Sequence, residues 1–267
     1  MPDRIIVTGA TGGIGAAVTR ALARQGHTVV MACRDTAKAE RLRTRILEQQ
    51  PHARLEVHPL DLCSLASVRA FAAGPGGAGA DALFNNAGVI SRGYSLTGDS
   101  LENTFSVNYF APYLLTRLLL ERMPSDARIV NMVSLTCRFV RIDTDSLRPA
   151  PGDFSQLGTY ARSKLALLHF SQELARRHPG LRVNLADPGI VDSGIISMGR
   201  WFDPLADVLF RPFIKRPEKG AVPPLAALTS EARLRYFAGS RSREIPAAYC
   251  DPDLQKRLWE ETERLIF

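Results

Sequence analysis

Cysteine is scarce in this sequence, which has four in 267 residues, widely separated and without a Cys-x-x-Cys pair. Zinc sites and disulfide frameworks depend on clustered or regularly spaced cysteines, so neither is indicated and no metal site is predicted. A chain of this length can bury a sizeable core without cross-links. Unpaired thiols suit a reducing compartment, and we therefore expect a cytoplasmic protein.

Long apolar runs are also missing. The first residues, Met1-Pro2-Asp3-Arg4, lead directly into Ile5-Ile6-Val7, without the regions that make up a signal peptide. No apolar stretch reaches about 20 residues, the length that a membrane-spanning helix needs. We therefore predict no transmembrane segment.

Acidic residues are outnumbered by basic ones, 27 against 34, which gives a formal charge of +7 and a pI near 9.5. The basic residues are scattered over predicted helices rather than clustered with aromatic residues, so no nucleic-acid partner is expected. This positive charge could attract an anionic cofactor or substrate. A basic surface that binds no partner would explain the net positive charge equally well.

The remaining pattern is an apolar strand, a turn and an amphipathic helix, repeated along the chain without internal sequence repeats. The predicted strands are Arg4–Thr8, Thr28–Cys33, Arg54–His58, Ala82–Phe84, Arg128–Met132 and Arg182–Ala186. The predicted helices are Ile14–Gln25, Thr36–Gln49, Ser64–Ala72, Asp99–Arg122, Thr159–Arg177, Lys219–Leu228 and, at the C-terminal end, Pro252–Phe267. Because the strands are short and apolar on both faces, the alternation predicts a doubly wound, mostly parallel α/β sheet.

Two stretches depart from this pattern. Phe139–Gln156, with two prolines and several aspartates, is typical of an extended insertion. Gly194–Pro217 is rich in aromatic and apolar residues, among them Trp201 and Phe210. Structured excursions of this length are often lids over active sites, although a helix pair packed on the core would show the same composition.

A glycine-rich turn links the first predicted strand to the first helix. Its sequence is Thr8-Gly9-Ala10-Thr11-Gly12-Gly13-Ile14-Gly15. Glycines permit a tight turn and a close approach of the backbone to a pyrophosphate, which the helix N-terminus then attracts. The alternative is that these glycines only permit the tight turn and bind no pyrophosphate. The position in the first βαβ unit favours dinucleotide binding by Gly9, Thr11, Gly12, Gly13, Ile14 and Gly15.

The end of the second strand carries the residues that would meet the adenosine ribose. An acidic side chain there would bind the 2′-hydroxyl of NAD, whereas this chain has Ala32-Cys33-Arg34-Asp35. The Arg34 guanidinium suits a 2′-phosphate, so NADP(H) is favoured, and Asp35 keeps NAD(H) open. Asp61-Leu62, after the third strand, could place a carboxylate at the adenine.

Tyr160 and Lys164 lie four residues apart, and so on one face of a helix. A cation near a phenol favours the phenolate, so the expected effect of Lys164 is to lower the pKa of Tyr160. A phenol with a lowered pKa is a candidate proton donor or acceptor for a carbonyl or alcohol oxygen. By itself the pair also fits an ordinary half-buried aromatic beside a solvated charge.

Asn108 stands four residues before Pro112 in a predicted helix. Proline has no N–H, so the Asn108 carbonyl loses its partner within the helix. A buried carbonyl needs a substitute, which an ordered water could supply. A proline kink that only shapes packing is the alternative.

Taken together, these motifs resemble the short-chain dehydrogenase/reductases over essentially the whole chain. The matching blocks are Thr8–Gly15, Asp61-Leu62, Asn85-Asn86-Ala87-Gly88, Asn108, Ser134, Tyr160-x-x-x-Lys164 and Pro188-Gly189. Within that family the chain looks most like the retinol-dehydrogenase-like branch. The runs that support the branch are Ala32–Asp35, Asp61–Arg69, Arg128–Asn131 and Ser171–Ala175.

The resemblance implies catalytic roles for Asn108, Ser134, Tyr160 and Lys164. Tyr160 would be the general acid or base, and Ser134 would hydrogen-bond the substrate oxygen. Lys164 would hold the cofactor ribose, and Asn108 would anchor a water that relays protons. The stretch from Asn85, which includes Asn86, Ala87 and Gly88, would line the adenosine side, and Pro188, Gly189, Ile190 and Ser193 would border the nicotinamide.

The chain departs from the family pattern in three places. Val133 stands where many relatives have a second serine. Asp187 precedes Pro188-Gly189, where the branch often has histidine, and its carboxylate could alter substrate polarity or face away. The N-terminal membrane anchor of many retinol dehydrogenases has no counterpart here, which weakens the transfer of retinol as substrate and favours a soluble relative.

The prediction is one NAD(P)-binding Rossmann-type domain over residues 1–267, with 194–217 as a substrate lid. The expected activity is NADP-dependent hydride transfer to or from a hydrophobic carbonyl or alcohol substrate. A sensor that binds NADP without turnover is the alternative. The resemblance further implies pairing through two long helices, as a homodimer or homotetramer.

Overall fold

A computed structural model describes residues 3–189 and 216–267 of the chain. Within these ranges the strands are β1 (Arg4–Thr8), β2 (Thr28–Cys33), β3 (Arg54–Pro59), β4 (Ala82–Asn85), β5 (Arg128–Met132), β6 (Arg182–Ala186), β7 (Tyr236–Phe237) and β8 (Ser242–Arg243). They form one sheet in the order β3-β2-β1-β4-β5-β6-β7-β8, parallel except for the β7–β8 pair. The predicted doubly wound α/β fold is confirmed, and its reversal of strand order lies between β1 and β4.

Helices cover both faces of this sheet. They are α1 (Gly13–Arg24), α2 (Thr36–Gln49), α3 (Leu65–Ala73), α4 (Asn103–Phe105), α5 (Ala111–Leu120), α6 (Gln156–Arg177), α7 (Pro217–Gly220), α8 (Val222–Thr229) and α9 (Pro252–Ile266). The predicted lid at 194–217 lies outside the described residues apart from its last two, as do the predicted cofactor residues Ile190 and Ser193.

The helix predicted at Asp99–Arg122 was placed four residues too early. It begins at Asn103, because the Glu102 carboxylate caps it by accepting from Phe105 N at 2.8 Å. Asp99 instead accepts from Leu65 N at 2.8 Å, and Ser100 has a left-handed φ of 58° that no helix allows. Residues Ser106–Phe110 then form a π-helix before α5.

Two further predictions need local correction. The helix predicted at Lys219–Leu228 is in fact two helices, α7 and α8, because Pro223 and Pro224 occupy the first turn of the second. In the predicted insertion, residues 145–147 and 151–153 form short 3₁₀ turns. The two-residue strands β7 and β8 were not predicted.

A chain of buried polar side chains crosses the centre of the sheet. The Asn85 amide donates to Thr116 Oγ1 at 3.1 Å and to Asn131 Oδ1 at 2.8 Å. Asn131 Nδ2 donates in turn to Ser171 Oγ at 2.7 Å. These contacts join α5, β4, β5 and α6, so Asn85 stabilises the core and does not line the adenosine side as the resemblance implied.

The helix α9 packs against the outer surface formed by α5, the π-helix and α6. Trp259 stacks on Phe170 at 5.6 Å between ring centroids, and Tyr113 meets Trp259 at 5.1 Å. The Tyr109 hydroxyl is 2.6 Å from Thr262 Oγ1. All of these side chains are buried, so α9 completes the hydrophobic core.

No described helix combines the length and the apolar character that crossing a bilayer would require.

His169 on α6 gives the stability a predicted pH dependence. Its ring is buried, Nδ1 has no partner among the described residues, and desolvation lowers its pKa from 6.5 to about 4. The unfolded chain therefore binds a proton between pH 6.5 and about 4 that the folded chain does not. We expect the free energy of unfolding to fall by about 3 kcal/mol across this window as pH decreases.

Urea unfolding of the wild type and of His169→Leu, compared from neutral pH down to about 4, measures this contribution. The free energy of unfolding is plotted against pH for each protein. The difference between the two slopes is the contribution of the His169 imidazole. An equal loss of stability in both proteins would contradict the prediction.

Candidate active site

The turn between β1 and α1 accepts only glycine at two of its positions. Gly9 has a left-handed φ of 63°, and a Cβ there would lie 3.0 Å from the Ala87 backbone. A Cβ on Gly15 would lie 2.3 Å from the Gly9 carbonyl oxygen. The backbone of the turn is therefore drawn tightly against the first turn of α1, whose N–H groups and dipole favour an anion.

Asn86 holds this turn from the neighbouring strand. Its Nδ2 donates to the Thr8 carbonyl at 2.8 Å, and Thr8 Oγ1 accepts from the Asn86 and Ala87 N–H groups at 3.0 Å each. Ala87 lines the cleft beside the turn, whereas Asn86 is not among its lining residues. The side chain of Asn86 therefore supports the turn, and its predicted contact with the cofactor stays a prediction.

A cleft of about 390 Å³ extends from the turn over the ends of β2 and β3. The predicted cofactor residues that line it are Gly9, Thr11, Arg34, Asp61, Leu62, Ala87 and Gly88. Ala32, Cys33 and Asp35, from the strand end expected at the ribose, also line it. Residues that line it without having been predicted are Lys38, Leu60, Cys63, Val89, Asn103 and Val107. The predicted residues Gly12, Gly13, Ile14 and Gly15 form the adjoining helix start, and Tyr160, Lys164, Pro188 and Gly189 lie beyond the cleft.

The far end of the cleft combines basic and acidic side chains. Arg34 and Lys38 line it with their charges exposed. The Asp35 carboxylate caps α2 by accepting from Lys38 N at 2.8 Å. Asp61 accepts from Cys63 N at 3.0 Å. Both carboxylates therefore already have backbone partners, while the cations face the cleft.

Tyr160 is hydrogen-bonded to Ser134, but its pKa departs from the expectation. Desolvation raises the pKa of Tyr160 to about 12, and repulsion from the Cys137 thiolate and the Asp187 carboxylate adds to the rise. The bond from Ser134 acts in the opposite direction. The predicted lowering of the Tyr160 pKa was wrong for the protein as described, because the cost of burying a phenolate is the largest influence on this group.

Lys164 is 3% exposed, and its Nζ donates to the Met132 carbonyl at 3.0 Å. Burial lowers its pKa to about 8. A Cβ on Gly88 would lie 3.3 Å from both Lys164 Nζ and Asn108 Oδ1. The absence of a side chain at Gly88 therefore lets the ammonium group and the Asn108 amide each approach its backbone at the edge of the cleft.

The Asn108 amide links three parts of the site. Its Oδ1 accepts from Val89 N at 2.8 Å, and its Nδ2 donates to the Val89 carbonyl at 2.9 Å and to Ser163 Oγ at 3.0 Å. Ser163 Oγ donates to the Tyr160 carbonyl at 2.7 Å. Asn108 lies within the π-helix just before Pro112, a local change of register that fits the missing proline N–H. The water relay at its carbonyl stays a prediction.

Asp187 follows β6 and is 4% exposed. Its Oδ2 accepts from the Tyr236 hydroxyl at 2.5 Å, and its Oδ1 accepts from Gly189 N at 2.8 Å. Gly189 has a left-handed φ of 72°. The carboxylate thus fixes the Pro188-Gly189 turn from inside the protein.

Thr136 is a site residue that the sequence reasoning missed. Its hydroxyl donates to Ser134 Oγ at 3.0 Å, and its N–H does so at 3.3 Å. The Ser-x-Thr spacing is a local signal for such a turn. Because Ser134 Oγ accepts from Thr136, its own hydrogen is free for Tyr160 or for a substrate oxygen.

The arrangement combines a protonated phenol, a second hydroxyl and a buried amine beside an anion-binding turn. A phenol with a raised pKa is a competent proton donor at neutral pH. Hydroxyl groups from Ser134 and Tyr160 can together bind one carbonyl oxygen. The site is therefore equipped for proton transfer to an oxygen on which negative charge develops.

Comparisons with known proteins agree with this geometry. The model of the short chain dehydrogenase family matches residues 3–199. Human retinol dehydrogenase 13 is 33% identical over 98% of this chain and 84% of its own length. An uncharacterised protein from Mycobacterium paratuberculosis has a crystal structure with a TM-score of 0.78 and 31% identity, over 99% of this chain and 93% of that one.

A third likeness comes from a structure with a ligand. The short chain dehydrogenase from Burkholderia cenocepacia J2315, solved in complex with NADP, matches with a TM-score of 0.66 and 26% identity. The match covers 86% of this chain and 92% of that one. On the family model and the full-length relatives, the chain belongs to the short-chain dehydrogenase family of oxidoreductases and is retinol-dehydrogenase-like.

Proposed function

We propose that the protein is an NADP-dependent oxidoreductase that moves a hydride between the nicotinamide and the carbonyl or alcohol carbon of a hydrophobic small molecule. The observation that carries this proposal is the meeting of Tyr160, Ser134 and Lys164 beside the glycine-lined cleft. Gly88 lines that cleft, and a Cβ on it would lie 3.3 Å from Lys164 Nζ.

The residues present fit a nicotinamide dinucleotide. Gly9 and Gly15 pack so closely that neither position has room for a side chain. A pyrophosphate could therefore approach the bare backbone at the start of α1. Gly9, Thr11 and the N–H groups of residues 12–15 would hold the pyrophosphate, and Asp61 and Leu62 would border the adenine. When bound, the nicotinamide supplies or accepts the hydride.

The chain's own residues would handle the oxygen and its proton. In carbonyl reduction Tyr160 would donate its hydroxyl proton to the substrate oxygen, and Ser134 would donate a hydrogen bond to that oxygen. Lys164 would hold the ribose, and its charge would offset the tyrosinate that forms. Proton return through a water at Asn108 would restore the phenol.

Arg34 supports NADP(H) over NAD(H). It lines the cleft together with Lys38, whereas the neighbouring carboxylate of Asp35 already caps α2. A guanidinium can bind a 2′-phosphate with two parallel hydrogen bonds.

We expect Arg34→Ala to raise the dissociation constant for NADPH by about 10–100-fold, because charge-assisted bonds contribute about 1.5–3 kcal/mol. Binding of NADH should hardly change. Fluorescence titration with both cofactors measures this. Arg41→Ala is the matched control, since it removes the same charge from an exposed position of α2 that does not line the cleft. Equal losses for both cofactors would contradict the phosphate assignment.

Exposed apolar side chains that lie close in sequence to Ser134 and Tyr160 support a hydrophobic substrate. Leu135 follows Ser134 directly and is 36% exposed, Leu157 lies three residues before Tyr160 and is 53% exposed, and Phe139 is 76% exposed. Exposed apolar side chains grouped near a reactive centre favour an apolar ligand. The name of the similar human protein, retinol dehydrogenase 13, points to the same class.

The experiment is NADPH oxidation by the purified protein with a panel of aliphatic, aromatic, steroid and retinoid aldehydes and ketones. The proposal predicts turnover with at least one apolar carbonyl class. Tight NADPH binding without turnover across the panel would favour the alternative, a protein that senses NADP without catalysis. That alternative is disfavoured because all four predicted catalytic positions are filled.

Several predictions accompany this function. We propose one domain over residues 1–267 with 194–217 as its lid, and a cytoplasmic location. Pairing in a homodimer or homotetramer remains a prediction, and α9 already covers the outer surface of α5 and α6.

A further inference from the structure

We propose that Thr136 is a positioning residue, whose hydroxyl fixes the direction of hydrogen bonding in the active site by making Ser134 a donor and not an acceptor. The hydrogens of Ser134 and Tyr160 are then both left for the substrate oxygen. This inference rests on the proposed function for its effect on the reaction. The hydrogen-bond geometry itself concerns this chain's own residues alone.

Thr136 fills the acceptor sites of the Ser134 oxygen. The Thr136 hydroxyl donates to Ser134 Oγ at 3.0 Å, and the Thr136 N–H donates to the same atom at 3.3 Å. A serine hydroxyl has two acceptor lone pairs and one hydrogen. With both lone pairs occupied, Ser134 can form its remaining hydrogen bond only as a donor.

The backbone around Ser134 holds this arrangement in place. Ser134 is extended, with φ of −144° and ψ of 147°, and is the N-cap of the 3₁₀ turn Leu135–Phe139. Its carbonyl accepts from Cys137 N at 3.1 Å, and Val133 N donates to the Ala186 carbonyl on β6 at 2.9 Å. Cys137 is buried. The turn is therefore fixed to the sheet on one side and to the core on the other, so the fold sets the contact between the two hydroxyls.

The direction of these bonds determines where the Tyr160 hydrogen points. Ser134 interacts with the Tyr160 hydroxyl. If Ser134 had a free lone pair, Tyr160 could donate its hydrogen to Ser134, and that hydrogen would then point away from a substrate. Because Thr136 already occupies the Ser134 oxygen, the Tyr160 hydrogen is left for the substrate. Two donors can then converge on an oxygen on which negative charge develops.

A role in capping alone is the alternative for Thr136. Its N–H caps the 3₁₀ turn through Ser134 Oγ, and this backbone bond persists with any non-proline residue at position 136. The Thr136 hydroxyl is not needed for that bond. A substitution that removes the hydroxyl and keeps the shape of the side chain therefore separates the two roles.

Thr136→Val makes this change. We expect it to lower kcat/KM for carbonyl reduction by about 3–10-fold, the loss of one neutral hydrogen bond that acts in the transition state. The same factor applies to alcohol oxidation, because one transition state serves both directions. The dissociation constant for NADPH, measured by fluorescence titration, should stay within about twofold. Thr136→Ser retains the hydroxyl and should restore most of the rate.

A double-mutant cycle with Ser134→Ala tests whether Thr136 acts through Ser134. In the Ser134→Ala background there is no oxygen to position, so Thr136→Val should have no further effect on kcat/KM. An unchanged rate in Thr136→Val, an undiminished loss in the Ser134→Ala background, or a failure of Thr136→Ser to restore the rate would each overturn the inference. Circular dichroism checks the fold of every variant.

Neutron diffraction from a deuterated crystal measures the direction of the bonds without any substrate. We expect the Thr136 deuteron on the line to Ser134 Oγ and the Ser134 deuteron directed toward Tyr160. A Tyr160 deuteron that points to Ser134 Oγ would contradict the proposed role. The expected arrangement in a protein that turns over no carbonyl would support the role of Thr136 and refute the proposed function instead.

Discussion

Replacing Tyr160 with phenylalanine should reduce kcat for carbonyl reduction by about 1,000-fold or more while leaving NADPH binding within about twofold, since a positioned proton donor contributes about 10²–10⁴-fold. The variant loses only the hydroxyl that Ser134 contacts. The ring and its packing remain. Stopped-flow or steady-state NADPH oxidation with the best carbonyl of the panel, together with a fluorescence titration of NADPH, measures both quantities.

Tyr109→Phe is the matched control. It removes a buried hydroxyl that lies 2.6 Å from Thr262 Oγ1, on the side of the protein covered by α9. We expect it to cost about 1 kcal/mol of stability and to leave kcat unchanged. If Tyr160→Phe retained more than about a tenth of the wild-type kcat, Tyr160 would not be the main proton donor.

Gly15→Ala is the second change from which we expect a large effect. Its Cβ would lie 2.3 Å from the Gly9 carbonyl oxygen and 2.8 Å from Asn86 Nδ2. The carbonyl belongs to the backbone and cannot turn aside, so the turn or the start of α1 must move. We expect a loss of about 1–3 kcal/mol in stability and a more than tenfold weaker affinity for NADPH.

Gly12→Ala provides the comparison within the same turn. There a Cβ would lie 3.4 Å from the Gly9 carbonyl oxygen, an ordinary contact, and we expect wild-type stability. Thermal unfolding distinguishes the two variants by several degrees. Equal melting temperatures would show that the turn tolerates the extra carbon and that the argument from crowding is wrong.

The sheet could be predicted well from the sequence because its strands are buried on both faces. β1, β2, β5 and β6 have the predicted bounds, and each is a nearly continuous apolar run. β7 and β8 have two residues each, too few for any periodicity. β7 pairs with β6, and β8 pairs with β7, and no local pattern encodes these contacts.

The candidate site was predictable where a residue type is forced by geometry. Gly9 needs a left-handed φ and Gly15 lacks room for a side chain. Both positions therefore require glycine, which can be recognised in the sequence. Asn86 and Thr136 were harder, since their side chains bond to neighbouring parts of the site. The sequence alone does not distinguish an asparagine that supports a binding site from one that binds the ligand.

The ionisation of Tyr160 was beyond sequence reasoning. The Tyr160–Lys164 spacing is correct, but the direction of the pKa shift depends on desolvation and on Asp187, which lies 27 positions further along the chain. Burial of this kind follows from the packing of several elements. Only the assembled strand ends reveal which charges act on the phenol.

The packing of α9 has a consequence for the order in which the protein folds during synthesis. Tyr109 bonds to Thr262 across 153 positions, and Arg69 donates to the Ile266 carbonyl across 197. A nascent chain that has completed β6 therefore still presents the aromatic rings of Tyr113 and Phe170 to solvent. Until Trp259 leaves the ribosome, we expect this apolar surface to need a chaperone, and stalled chains ending before and after α9 should differ in chaperone binding.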